Sequence, residues 1–103
     1  MEKVYAGKTV NVDNNGYLTD LSQWNKDIAI EIGKEEGINE VTEKHFEVLT
    51  YLQDQQRKDV ALTIRGVGKS GVVDIKQLYD LFPKGPLKIS SKMAGIPRPK
   101  SCI

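Results

Sequence analysis

Val41-Thr42-Glu43-Lys44-His45-Phe46-Glu47-Val48-Leu49-Thr50-Tyr51-Leu52 is the stretch from which the fold reads most directly. Val41, His45, Val48, Leu49 and Leu52 recur at helical spacing and make one apolar face, while Glu43, Lys44, Glu47 and Asp54 fall on the other. That is the pattern of a helix laid on a core along one side. Arg57 and Lys58 come after it, where positive charge favours the carbonyl end of a helix.

On the C-terminal side, Asp74 reads as the N-cap of a helix that puts Ile75, Leu78, Tyr79 and Phe82 on one face and stops at Pro83. A last short helix is expected from about Leu87 to Ala94. On the N-terminal side, a helix is expected after Asp20 as N-cap, with Leu21, Trp24, Ile28 and Ile32 spaced 3, 4 and 4 apart and Gly37 ending it. Trp24 reads there as a core residue. Lys3-Val4-Tyr5 and Lys8-Thr9-Val10-Asn11-Val12 flank Ala6-Gly7 as a β-hairpin, and Asp13-Asn14-Asn15-Gly16 makes a second turn. Leu62 to Gly71 holds three glycines and shows no clear period. The fold class is mainly α: a small helical domain over residues 1–94 with an N-terminal β-hairpin.

With 103 residues and 39% hydrophobic content, the chain supports one domain with one modest core and leaves no room for a cofactor domain. Basic and acidic residues balance at 15 against 14, so direct nucleic-acid binding is not expected. Lys, Asp and Asn interrupt the first 20 residues, and no apolar run approaches the length of a membrane span, so neither a signal peptide nor a membrane partner is expected. A single unpaired cysteine fits a cytoplasmic, reducing setting.

That cysteine, Cys102, stands second from the end of Met93-Ala94-Gly95-Ile96-Pro97-Arg98-Pro99-Lys100-Ser101-Cys102-Ile103. It lies outside any periodic apolar segment and has no partner for a disulfide or a zinc site, which leaves thiol chemistry with another protein. Pro97 and Pro99 fix φ and bias Ile96 and Arg98 toward extended geometry, so residues 95–103 are expected to form a flexible, projecting arm. Gly95 serves as helix stop and hinge. Seven residues separate Gly95 from Cys102, a reach of roughly 22 Å. Arg98, Lys100 and Lys92 place along the arm positive charge that favours the thiolate, and the terminal carboxylate opposes it.

Three other features carry possible chemistry. Gly66-Val67-Gly68-Lys69-Ser70 looks like the end of a phosphate-binding loop, but the glycine that a Walker A motif needs five positions earlier is Thr63. Arg65 and Lys69 read instead as a basic docking patch. His45, the sole histidine, sits on an apolar helix face and is expected to bond a backbone carbonyl rather than act as a base. Two short helices around Gly66 to Asp74 could form a helix-turn-helix with Lys69 and Lys76 on phosphates, but that reading leaves the tail unexplained.

The tail Ala94-Gly95-Ile96-Pro97-Arg98-Pro99-Lys100-Ser101-Cys102-Ile103 resembles the closing pattern of the DsrC/TusE family of sulfur-relay proteins. Leu81-Phe82-Pro83-Lys84-Gly85-Pro86, Gly16-Tyr17-Leu18-Thr19-Asp20 with Trp24, and Thr42-Glu43-Lys44-His45-Phe46 also resemble its signatures, so the likeness spans nearly the whole chain. The resemblance implies an orthogonal helical bundle, with a short helix between Leu62 and Gly71, and Cys102 as the catalytic, sulfur-bearing residue. Two-cysteine members carry a second cysteine eleven positions before the last, where this chain has Ser91. A serine forms no disulfide, so the chain is closer to single-cysteine, TusE-like carriers.

The resemblance thus implies a sulfurtransferase-type carrier rather than a stand-alone enzyme. Its cargo is a persulfide, so it needs no metal and no cofactor. By the same resemblance the donor is a DsrEFH- or TusBCD-type complex, and the acceptor a tRNA 2-thiouridylase or dissimilatory sulfite reductase. Gly95, Pro97, Arg98, Pro99, Lys100, Arg65 and Lys69 are expected to face these partners. The alternative is a docking protein of the sulfite reductase gamma-subunit kind; a helix-turn-helix regulator ranks below both.

Overall fold

Hydrogen bonding at helix ends organises the domain. The computed structural model describes residues 1–60 and 62–97. Strands β1 (Glu2–Tyr5) and β2 (Lys8–Asn11) pair antiparallel with Tyr5 opposite Lys8. The two-residue turn between them has φ of 52° at Ala6 and 75° at Gly7. Both are left-handed, as a turn matched to strand twist requires. The Tyr5 hydroxyl donates to Glu35 at 3.0 Å and Lys3 pairs with the same carboxylate at 3.3 Å. These bonds pin the hairpin to the C-terminal end of α1 (Lys26–Glu35).

The expected first helix is split in two. Asp20 does cap, accepting from the Ser22 amide at 3.0 Å, but it caps a single 3-10 turn, Leu21–Gln23. The chain then extends through Trp24, and α1 begins with Asn25 as its own N-cap, accepting from the Ile28 amide at 2.9 Å. Ile28 and Ile32 are fully buried on α1, whereas Leu21 and Trp24 pack against the core from its edge. The 3-4-4 spacing therefore straddles two elements that share one core, and a second good capping residue breaks the helix between them.

α2 (Glu43–Arg57) has Thr42 as its N-cap, with His45 in the place usually held by Glu or Gln of a capping box. His45 Nδ1 lies 3.0 Å from the Thr42 amide and 2.9 Å from its hydroxyl, and Nε2 lies 3.0 Å from the Leu81 carbonyl. An amide only donates and a carbonyl only accepts, so the ring must be neutral with its proton on Nε2. The ring also meets Phe82 edge-on, with centroids 5.2 Å apart. His45 is structural, as its place on the apolar face implied.

Burial holds the His45 pKa below its ordinary value of 6.5, outweighing the opposing pull of the Leu81 carbonyl and Glu40. The unfolded chain thus takes up the proton first, and stability must fall as pH drops below about 6.5. Urea midpoints should be level above about pH 7 and decline toward pH 5. His45→Gln keeps the cap acceptor without the titration and should flatten that decline; an unchanged slope would remove His45 as its source.

α3 (Ile64–Gly68) is the short helix expected between Leu62 and Gly71, capped by Thr63. α4 (Ile75–Leu81) has Asp74 and Gln77 as a reciprocal capping box. Its apolar face is narrower than the spacing indicated: Leu78 and Phe82 are fully buried, but Ile75 and Tyr79 are 45% and 42% exposed. The helix lies at the edge of the domain, where α3 and α5 cover only part of its circumference.

α5 (Pro86–Met93) is the centre. It packs against α1, α2 and α4, and Leu87, Ile89, Ser90, Ser91, Met93 and Ala94 are buried along it. Pro86 occupies its first turn, where the missing amide is harmless. At Gly33 of α1, an added Cβ would lie 2.9 Å from the Met93 terminal methyl. The absence of a side chain there lets α1 and α5 approach closely. A mainly-α bundle with an N-terminal hairpin is thus what both the periodicity and the resemblance indicated.

Candidate functional site

The C-terminal end of α5 is the root from which the cysteine-bearing segment leaves, and each of its carbonyls has a donor. Ser90 accepts from the Ala94 amide at 2.9 Å, Lys92 from the Gly95 amide at 3.3 Å and Ser91 from the Ile96 amide at 3.3 Å. Gly95 has φ of 73°. The first is an ordinary helical bond and the other two are the reversed pair of a Schellman turn, which needs a left-handed residue at Gly95.

Two carbonyls remain, and side chains from distant elements reach them. Trp24 Nε1 donates to Met93 O at 2.7 Å, and Gln53 Nε2 on α2 donates to Ala94 O at 2.8 Å. The Trp24 ring covers Gly95 so closely that a Cβ there would lie 2.7 Å from Cδ1. Ile96 is 0% exposed, and the chain surfaces at Pro97.

This moves the start of the arm. Gly95, read as a hinge facing partners, is buried beneath Trp24, and Ile96 belongs to the core. The described chain becomes free of the bundle only at Pro97. Trp24, read simply as core, is the lid over this turn. Arg98, Pro99, Lys100 and Cys102 lie outside the described residues. Lys92 does not lend its charge to the arm, because it is bound to Glu36 at 2.6 Å with its side chain 14% exposed. Gln53 escaped the sequence reading altogether. Its only signal was a polar residue directly after Leu52 on the edge of the apolar face.

Ser91 is fully buried, and its hydroxyl is the one buried side-chain polar atom among the described residues without a hydrogen-bond partner. An orphaned buried hydroxyl costs on the order of 1–3 kcal/mol. Ser91→Ala should therefore raise stability by about 1 kcal/mol in urea titration; a loss of stability would mean the hydroxyl has a bound partner.

The other candidates separate cleanly. Gly66, Val67 and Gly68 are inside α3 and Lys69 is its C-cap. A phosphate loop must precede a helix and offer amides; this segment ends one and offers carbonyls. Arg65 and Lys69 are exposed on α3, away from the root of the tail in sequence, and no ion pair engages them among the described residues. An open groove of about 660 Å³ runs along α2, lined by Lys26, Phe46, Glu47, Tyr51, Asp54 and Val72 among others. Its charges are mixed and its mouth is wide, so it lacks the convergent polar groups of a small-molecule site. Among the described residues, no group of three or more His, Cys, Asp or Glu is placed to hold a metal, and no helix is long and apolar enough to cross a membrane.

Known proteins are similar to this chain over nearly their full length. The gamma subunit of dissimilatory-type sulfite reductase from Nitratidesulfovibrio vulgaris (strain Hildenborough) is 34% identical over 103 residues, covering 99% of this chain and 98% of its own. The sulfurtransferase TusE of Escherichia coli (strain K12) is 34% identical over 108 residues, covering 97% and 98%. A crystal structure of dissimilatory sulfite reductase I (DsrI) superposes with a TM-score of 0.85 at 31% identity, covering 100% of both chains. The family model described as "DsrC like protein" matches residues 4–103, a span that takes in most of the hairpin, α1 to α5 and the cysteine-bearing tail, and the chain belongs to that DsrC-like family.

Proposed function

We propose that this chain is a sulfur carrier in a relay, taking and giving sulfane sulfur on Cys102. The observation that carries the proposal is a lone thiol six residues beyond a buried, fully hydrogen-bonded anchor at Ile96. Its relatives are named sulfurtransferases and sulfite reductase gamma subunits, which supports the same reading.

The transfer step balances without cofactor or net oxidation. Cys102 thiolate attacks the outer sulfur of a donor persulfide, R–S–SH. A new S–S bond forms as the donor's S–S bond breaks, so that Cys102–S–SH is produced and the donor cysteine leaves as R–S⁻. The reverse step hands the sulfur to an acceptor thiolate. Ser91 cannot compete for the persulfide, because it is sealed in α5 and carries no thiol. Delivery must therefore be to another protein.

Arg98 and Lys100 steer the thiol toward an acidic partner mouth and favour its anion. Pro97 and Pro99 keep the segment extended. Arg65 and Lys69 offer a further basic contact. The donor is a DsrEFH- or TusBCD-type complex, the acceptor a tRNA 2-thiouridylase or dissimilatory sulfite reductase, and the setting cytoplasmic. A second reading, a sulfite reductase docking protein that carries nothing, draws on the gamma-subunit name of one relative.

Intact-protein mass spectrometry after incubation with polysulfide separates the two. A carrier gains about 32 Da per sulfur atom, reducing agent removes it, and Cys102→Ser shows no gain. A chain that stays unloaded while Cys102 remains alkylatable is a docking protein.

A further inference from the structure

We infer that Trp24 and Gln53 are positioning residues for transfer at Cys102, holding the point and direction from which the thiol is presented to a partner. The inference rests on the carrier reading above. The last carbonyls of a helix need partners from side chains, water or the following backbone. Here the residue that would follow in helical register for the Met93 carbonyl is Pro97, which has no amide to give. Instead Trp24 and Gln53, 69 and 41 residues away in sequence, bond the consecutive carbonyls of Met93 and Ala94. Gln53 is itself a buried polar side chain, 6% exposed, committed to the carbonyl of Ala94, a residue that is 0% exposed and out of reach of solvent. The Trp24 ring closes over Gly95 and fixes its left-handed turn.

The consequence is a tether with a rigid origin. From Ile96 to Cys102 there are six residues, a contour of about 20 Å at most. If the turn opened back to Ser91, the tether would lengthen to eleven residues. Effective concentration falls roughly as the three-halves power of tether length, which is about 2.5-fold for that change. Loss of the fixed exit direction adds to it. Body docking is untouched, so the penalty falls on the step after docking.

The test uses the full chain in four forms: wild type, Trp24→Phe, Gln53→Met, and a variant with two glycines inserted between Ile96 and Pro97. Trp24→Phe keeps a ring over Gly95 without the donor, Gln53→Met keeps the shape without the donor, and the insertion frees the exit without touching the bundle. Amide exchange of Ile96 should rise at least tenfold in the two substitutions. With a persulfide-loaded donor complex of the kind proposed above, kcat should fall about three- to fivefold in the two substitutions and about 1.5-fold or more in the insertion, while KM holds. Loading by inorganic polysulfide, which needs no presentation, should match wild type. Faster Ile96 exchange with unchanged kcat would overturn the positioning role and leave a structural bond, as would unchanged exchange. An insertion variant with wild-type kcat would overturn it even if the substitutions misfold. Failure of the wild type to load from polysulfide would instead sink the carrier reading itself.

Discussion

Gly95→Val costs the domain about 3 kcal/mol and lowers its melting temperature by more than about 10 °C. The residue sits at φ of 73°, and its missing Cβ would lie 2.7, 3.0 and 3.1 Å from Cδ1, Cγ and Cβ of Trp24. A β-branched residue is strained by the left-handed backbone, at a cost of roughly 1–2 kcal/mol. It then collides with an indole that has no free path of retreat, because the ring nitrogen is tied to Met93. Displacing Trp24 breaks that bond and uncovers Ile96, which is fully buried. Gly95→Ala should show the same effect at lesser magnitude, since it meets the ring but carries no branch. Thermal melts followed by circular dichroism decide it; a melting temperature within about 2 °C of wild type would mean that the indole does not restrain the turn.

Deleting Cys102 and Ile103, seven and eight residues further on, has the opposite character. Sulfur transfer is abolished, because no other thiol exists in the chain. The melting temperature stays within about 1 °C of wild type, since the hydrophobic core is built from side chains no later than Ile96 among the described residues. Persulfide transfer assays and melts on the same preparation test both halves. A drop of several degrees would show the tail contributing to the bundle and would count against a segment held out for a partner. Residual transfer would place the sulfur elsewhere than on cysteine.

Much of this domain was legible because its local signals agree with its packing. Asp74, Gly37 and Gly95 mark helix ends by capping chemistry alone, and the hairpin turn at Ala6-Gly7 rests on the same kind of local reasoning. The features that escaped depend on which element lies opposite. Leu21 and Trp24 keep helical spacing with Ile28 and Ile32, yet only the fold shows that Trp24 must leave the helix to reach Met93. Ile75 and Tyr79 are apolar at the right period, but their neighbours cover them only in part. Gln53 and Lys92 look like ordinary surface residues until Ala94 and Glu36 are seen beside them. The site divides in the same way: Cys102 and its prolines announce themselves by residue type, whereas the anchor behind them is made of contacts 41 and 69 residues apart.

The place of α5 at the centre bears on how the chain comes to fold. Its buried face joins α1, α2 and α4, so these three helices meet the core through one shared segment, residues 86–96. A nascent chain that has not yet emerged to Pro86 has a hairpin and amphipathic helices but lacks the segment on which α1, α2 and α4 close. Folding then waits on synthesis of this one segment, and non-local closure makes it a single late event rather than a stepwise accretion. The order carries a safeguard: no ribosome-bound intermediate is complete before the stretch that anchors the thiol is in place.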